Sequence, residues 1–355
     1  MIISFKPHGY SKGDMVSAVE AMGYPYFFSG LKRRELEDFF CQKLDRKYSL
    51  AVNDLTSALL ILLDYIGLSK HSKIVLSPLS YFKHFSPYLR ISGYEYVYAD
   101  VERWYLNLDV KRLTQMLTDD VKVLIVNNVL GIPANWDAIV EMVKDKDIFL
   151  IEDSRETIFT EYKGKPAGSF GYVSLLGFSD SSIITGHGGI ILTDDKLIYE
   201  RLREYMEPMD DITSALILSQ IKHIDEKRRI REELVNLYSQ LLVGIEGLKA
   251  QFCPNYVSKM HWSYFCIHLG KRYSQEARML IKDLLIDDGI EVREYPIPQD
   301  MKEGKKLNHL HIAHEVGPRI LLLPLHEDIT EEDVYFVCER LKEHVVQIGA
   351  GSVDH

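Results

Sequence analysis

Six short apolar runs alternate with longer helical stretches between residues 73 and 195, and this alternation restricts the chain more than any other feature. KIVLSPL (73–79), YEYVYADV (94–101), VKVLIVNNV (121–129), DIFLIEDS (147–154), YVSLLGF (172–178) and GIILTDD (189–195) all have strand character, and several are apolar on both faces. A strand buried on both faces needs helices above and below it, which is the environment of a mostly parallel sheet. Residues 56–66 and 136–143 supply helical spacing, with Thr56 and Asn135 as caps. The expected architecture is a doubly wound α/β domain.

Beyond residue 210 the texture changes. ITSALILSQIKHIDEKRRIREELVNLYSQLL reads as one long amphipathic helix linking two domains. A strand (262–269), a helix ending at Gly289, a strand (290–295), a Lys-rich loop, a strand (319–325) and a closing helix (332–346) follow. The expected division is a large α/β domain over 1–210, a linking helix over 211–245 and a smaller C-terminal α+β domain over 246–355. A chain of 355 residues is long enough for two such cores.

Composition removes several function classes. Apolar residues make up 46% and charged residues 26%, ordinary for a globular chain. The formal charge of −10 repels nucleic acid and acidic membrane surfaces. Cys41, Cys253, Cys266 and Cys338 form no paired spacing, which fits a reducing cytoplasm and gives no disulfide frame or zinc site. No run of about 18 apolar residues and no signal-peptide core occurs, so no membrane span is expected. His309, His311 and His314 cluster near Lys302, Lys305 and Lys306 and match no zinc spacing, so no metal is expected. KHIDEKRRIRE (222–232) interleaves its acids at helical distances, as a solvated, salt-bridged face does.

Two stretches are placed to meet a ligand. LIEDSRE (150–156) puts Asp153 just past a buried strand, where ligands bind in open α/β sheets and where an aspartate equally caps the following turn. NDLTSALLILL (53–63) opens a helix with Thr56 and Ser57, which serve either as an anion site or as a simple cap. GFSDSSIITGHGG (177–189) carries paired glycines typical of a close backbone approach.

The order of these segments, with NVLGIPANWDAI (128–139), SALILSQIKHIDEKRRIREELVNLY (214–238) and RILLLPLHEDITEEDVYFVCERLKE (319–343), resembles the DegT/DnrJ/StrS family of sugar aminotransferases from about residue 28 to 345. The resemblance implies the aspartate aminotransferase fold, pyridoxal phosphate (PLP) or pyridoxamine phosphate (PMP) as cofactor, a nucleotide-sugar ligand and a homodimer whose sites are shared across the two-fold. It implies that Asp153 meets the pyridine nitrogen, that Phe82, close to Tyr81, stacks on the ring, and that Thr56 and Ser57 meet the phosphate. Leu55 stands where the family has a glycine. Glu156 stands where a Gln or His meets the ring hydroxyl, Gly177 falls near a phosphate-binding Ser, and Met206 and Pro208 replace the Asn and Arg that cross the dimer interface.

The Schiff-base lysine falls on Ser181 or Ser182, and no lysine occurs between Lys165 and Lys196. A serine hydroxyl neither forms the internal aldimine nor shuttles the proton of transamination. The expectation is a degenerate homologue in sugar-nucleotide or surface-polysaccharide metabolism. Two alternatives stand beside it: a PMP-dependent sugar dehydratase-like enzyme with His187 or His84 as base, and an active aminotransferase whose lysine comes from elsewhere.

Overall fold

The computed structural model describes the whole chain except residues 1, 8, 24–28, 70, 80–84, 180–181, 298–306, 308 and 352–355. Among the described residues nine strands precede residue 195: β1 (Tyr48–Val52), β2 (Lys73–Leu76), β3 (Glu95–Tyr98), β4 (Val121–Asn127), β5 (Phe149–Asp153), β6 (Glu161–Tyr162), β7 (Lys165–Pro166), β8 (Val173–Gly177) and β9 (Gly189–Thr193). Seven of them form one sheet in the order β1-β9-β8-β5-β4-β2-β3. The pairs from β8 to β3 are parallel, and β9 runs antiparallel to both β8 and β1. The doubly apolar runs therefore occupy a mostly parallel sheet, as expected, with one reversed strand. β5 and β8 are buried almost throughout, because helices cover both faces. Asn135 caps the helix Trp136–Val143 by accepting from the Ala138 amide.

Five more strands follow: β10 (Leu248–Ala250), β11 (Val257–Lys259), β12 (Phe265–Leu269), β13 (Arg293–Glu294) and β14 (Ile320–Leu323). They build an antiparallel sheet β10-β12-β14-β13, while β11 joins β6 and β7. Helices Gln275–Asp287 and Glu331–Gly351 complete this smaller α+β unit.

Two boundaries differ from the sequence expectation. Ile3 bridges to Ile290, and Ser4 and the Phe5 amide donate to Glu291, so the first residues also contact the C-terminal unit, while the Phe5 side chain lies in the core of the large sheet. The long linking helix is two helices, Asp211–Ile221 and Ile224–Leu241. At their junction the Lys222 and His223 amides bond to Ser219 and Gln220 carbonyls, tightening the ladder to three-residue spacing and turning the chain. The first helix is buried against the large domain; the second lays Leu234, Val235 and Tyr238 on the small one.

Candidate functional site

β1, β5 and β8 point the same way, so the helix after β1 and the turn after β5 open on the same edge of the sheet. In β5 successive side chains face opposite sides. Glu152 enters the core beneath the 168–171 turn, and Asp153 emerges at the edge.

Asp153 is only 3% exposed and its carboxylate is fully committed. Oδ1 accepts from Arg155 Nε at 2.8 Å and from the Arg155 amide at 3.3 Å. Oδ2 accepts from Arg155 Nη2 at 2.9 Å and from Asn127 Nδ2, across the β4–β5 register. Four donors meet the four lone pairs that a carboxylate presents. The Arg155 stem lies on Gly177, where an added Cβ would come within 2.7 Å of Arg155 Cγ. Only a glycine at 177 leaves room for the arginine stem.

Asp54, rather than Thr56, caps the helix Leu55–Ile66. Its carboxylate accepts from the Thr56 amide at 3.1 Å, the Ser57 amide at 2.8 Å and Ser57 Oγ at 2.5 Å. Burial pushes the Asp54 carboxyl up, but these donors outweigh it and leave it below the usual aspartate value. The helix N-terminus already carries an anion. Leu55 is buried, and its side chain packs on the Gly189 backbone.

Glu156 is turned away from the edge. It accepts from the Leu130 amide and from Tyr295 Oη, both at 2.7 Å, joining the large domain to the small one. Burial pushes its carboxyl up to about 7, against the lowering by its two donors. Such an acid is protonated in the folded state over a range where the unfolded chain has lost the proton. The contribution of Glu156 to stability is therefore fully present below about pH 4.5 and is lost as pH rises to 7, by about 3 kcal/mol. We expect this slope in urea-unfolding free energies measured from pH 5 to 8 and its absence in Glu156→Gln; equal slopes in both proteins would refute the assignment.

The turn after β8 explains its own glycines. A Cβ on Gly188 would meet the Val52 carbonyl at 2.1 Å, and one on Gly189 the Leu176 carbonyl at 2.2 Å. The close approach is to neighbouring strands. Ser182 is buried, and its hydroxyl donates to the Ile184 carbonyl of the same turn. His187 is exposed on that turn. Ser181, Phe82, Tyr81, His84, Lys302, Lys305 and Lys306 lie outside the described residues. His309 bonds to the Tyr98 carbonyl. Met206 is buried, while Pro208 bridges to Val52 at the sheet edge beside the Asp54 cap.

The structure brings Asp153, Gly177 and the phosphate-type turn to one edge and leaves Glu156 at the domain junction. Arg155, Asn127, Asp54 and Tyr295 complete the arrangement, and sequence reasoning passed over all four. Arg155 and Asp54 had local signals, a cation two residues after an acid in LIEDSRE and an N-cap residue type directly ahead of the helical run in NDLTSALLILL. These residues do not fit pyridoxal phosphate in the manner the resemblance implies. The carboxylate for the ring nitrogen is saturated by an arginine, the phosphate amides hold a carboxylate, and the turn after β8 has no lysine.

The chain matches the model of the DegT/DnrJ/EryC1/StrS aminotransferase family over residues 12–208 and 205–342. It is 24% identical over 331 residues to a GDP-perosamine synthase of Escherichia coli O157:H7, covering 87% of this chain and 89% of that protein. It is also 24% identical over 370 residues to the spore coat polysaccharide biosynthesis protein SpsC of Bacillus subtilis, covering 94% and 95%. Its fold superposes on the PMP form of a sugar aminotransferase, Spr1654 of Streptococcus pneumoniae, with a TM-score of 0.91 at 18% identity over the full length of both chains. The sheet order, the site edge and these matches agree, and the chain belongs to the DegT/DnrJ/EryC1/StrS aminotransferase family.

Proposed function

We propose that this protein is a non-transaminating member of its family, a cytoplasmic homodimer that binds a nucleotide-linked sugar as a ligand-binding or partner subunit in surface-polysaccharide metabolism. The carrying observation is the absence of any lysine between Lys165 and Lys196, which removes both the Schiff base and the proton shuttle. Lys227 reaches the same turn, but its ammonium donates to the Ile183 carbonyl at 3.3 Å and to Gln220 Oε1 at 3.2 Å. The ligand class rests on the similarity to a GDP-perosamine synthase and to SpsC. Among the described residues no helix is long and apolar enough to cross a membrane.

Incubation with pyridoxal phosphate should give no aldimine absorbance band. Borohydride reduction should leave no pyridoxyl adduct in the peptides spanning 177–189 or on Lys227. A stable band together with amino-sugar product from a 4-keto nucleotide sugar would overturn the reading. Light scattering at micromolar concentration should report a dimer, with segment 205–215 at the two-fold interface; a monomer would count against the subunit arrangement.

A further inference from the structure

We propose that Arg155 takes the place of the coenzyme ring as the cationic partner of Asp153, so that the chain fills its own coenzyme seat and admits a pyridinium only when the guanidinium is removed. This inference concerns occupancy of the seat and stands apart from the missing lysine.

Four features of the geometry carry it. The guanidinium meets Asp153 through Nε at 2.8 Å and Nη2 at 2.9 Å, the two-point pairing that planar arginine makes with a carboxylate. With the Arg155 amide and Asn127 added, Asp153 has no lone pair left for a ring N–H. A second cation at the same carboxylate would also face the guanidinium charge directly. The arginine is seated rather than laid across the surface, because its stem rests on Gly177 and any side chain there would collide with it. At the phosphate end, the Asp54 carboxylate holds the Thr56 and Ser57 amides that a phosphate would need. The molecule thus provides, from its own side chains, a positive group where the pyridinium would sit and a negative one where the phosphate would sit.

Calorimetric titration with pyridoxamine phosphate, which needs no lysine, tests this directly. The wild-type protein should give no saturable heat up to about 1 mM, whereas Arg155→Ala should bind at least about 30-fold more tightly than that limit. Arg155→Ala should also melt lower than wild type, because Asp153 loses its counter-ion, and pyridoxamine phosphate should raise that melting temperature. Arg155→Met, which keeps the stem on Gly177 and removes only the charge, should respond in the same direction. Adding Asp153→Asn to Arg155→Ala should recover the melting temperature and abolish the response. If neither single variant is recovered folded, refolding from urea with pyridoxamine phosphate should rescue Arg155→Ala, and failure of that rescue would overturn the proposal. Wild-type protein binding pyridoxamine phosphate as tightly as a folded Arg155→Ala, or a folded variant that gains nothing, would overturn it as well. Wild-type binding without an aldimine band or amino product would sink this inference and leave the non-transaminating reading intact.

Discussion

Glu152→Ala should destabilise the protein by about 4–6 kcal/mol, the largest loss expected from any single substitution considered for this chain. Glu152 is fully buried, and its carboxylate organises the turn between β7 and β8. Oε1 accepts from the Gly168 amide at 2.6 Å, Ser154 Oγ at 2.6 Å and Asn128 Nδ2 at 3.2 Å. Oε2 accepts from the Phe170 amide at 2.8 Å and from the Gly171 amide and Ser174 Oγ at 3.1 Å. Truncation leaves the buried Gly168 and Gly171 amides and the part-buried Phe170 amide without an acceptor, each buried one costing about 1–3 kcal/mol, and strips bonds to the carboxylate from two hydroxyls. Against a typical total of about 5–15 kcal/mol, such a loss brings the large domain close to unfolding. Urea titration followed by far-UV circular dichroism measures it. A loss below about 2 kcal/mol would mean that the turn repacks around water. The predicted damage is to stability and leaves the Asp153 face of β5 untouched, so residual folded Glu152→Ala should behave toward pyridoxamine phosphate as wild type does.

Arg231→Met should cost about 3–5 kcal/mol, because it strands the Glu327 carboxylate where the helix Ile224–Leu241 packs on the small domain. Arg231 is 1% exposed, and it donates to Glu327 Oε1 at 2.9 Å and to the Trp262 carbonyl at 2.9 Å. Burial pushes the Glu327 carboxyl up, and the Arg231 and Lys227 cations outweigh it, leaving it below the ordinary glutamate value. A depressed acid contributes stability that is present above its unfolded pKa and is lost as pH falls through its folded one. Wild type should therefore lose this contribution on acidification below about pH 4.5, and Arg231→Met should lack that limb. The double variant Arg231→Met/Glu327→Gln should regain most of the stability, since the penalty lies in the unpaired charge. A double variant no more stable than Arg231→Met would locate the loss in the carbonyl contacts instead.

Much of the fold was legible because its signals are local. The run VKVLIVN became β4 and FLIED became β5 where alternation and apolar content placed them, and Asn135 caps the helix that its position announced. Direction was not legible. GIILT is a short run buried on both faces like its neighbours VSLLG and YSLAV, yet β9 runs against them, because strand direction depends on where the connecting chain returns. The break between the helices Asp211–Ile221 and Ile224–Leu241 is illegible for a similar reason: apolar spacing continues across Lys222 and His223, while the break is set by which core each half must face.

Residue types and their spacing specify a doubly wound α/β sheet for the large domain and leave no lysine in the turn after β8. They also place Asp153 at the end of a central strand. Each of these rests on residue type and spacing along the chain. What those groups touch depends on the folded chain. Asp153 is held by Arg155 and by Asn127 from the adjacent strand, and Glu156 is bonded to Tyr295, 139 positions away. A lone pair takes whichever donor the folded backbone brings within about 3 Å, and that proximity is not written in the order of residues.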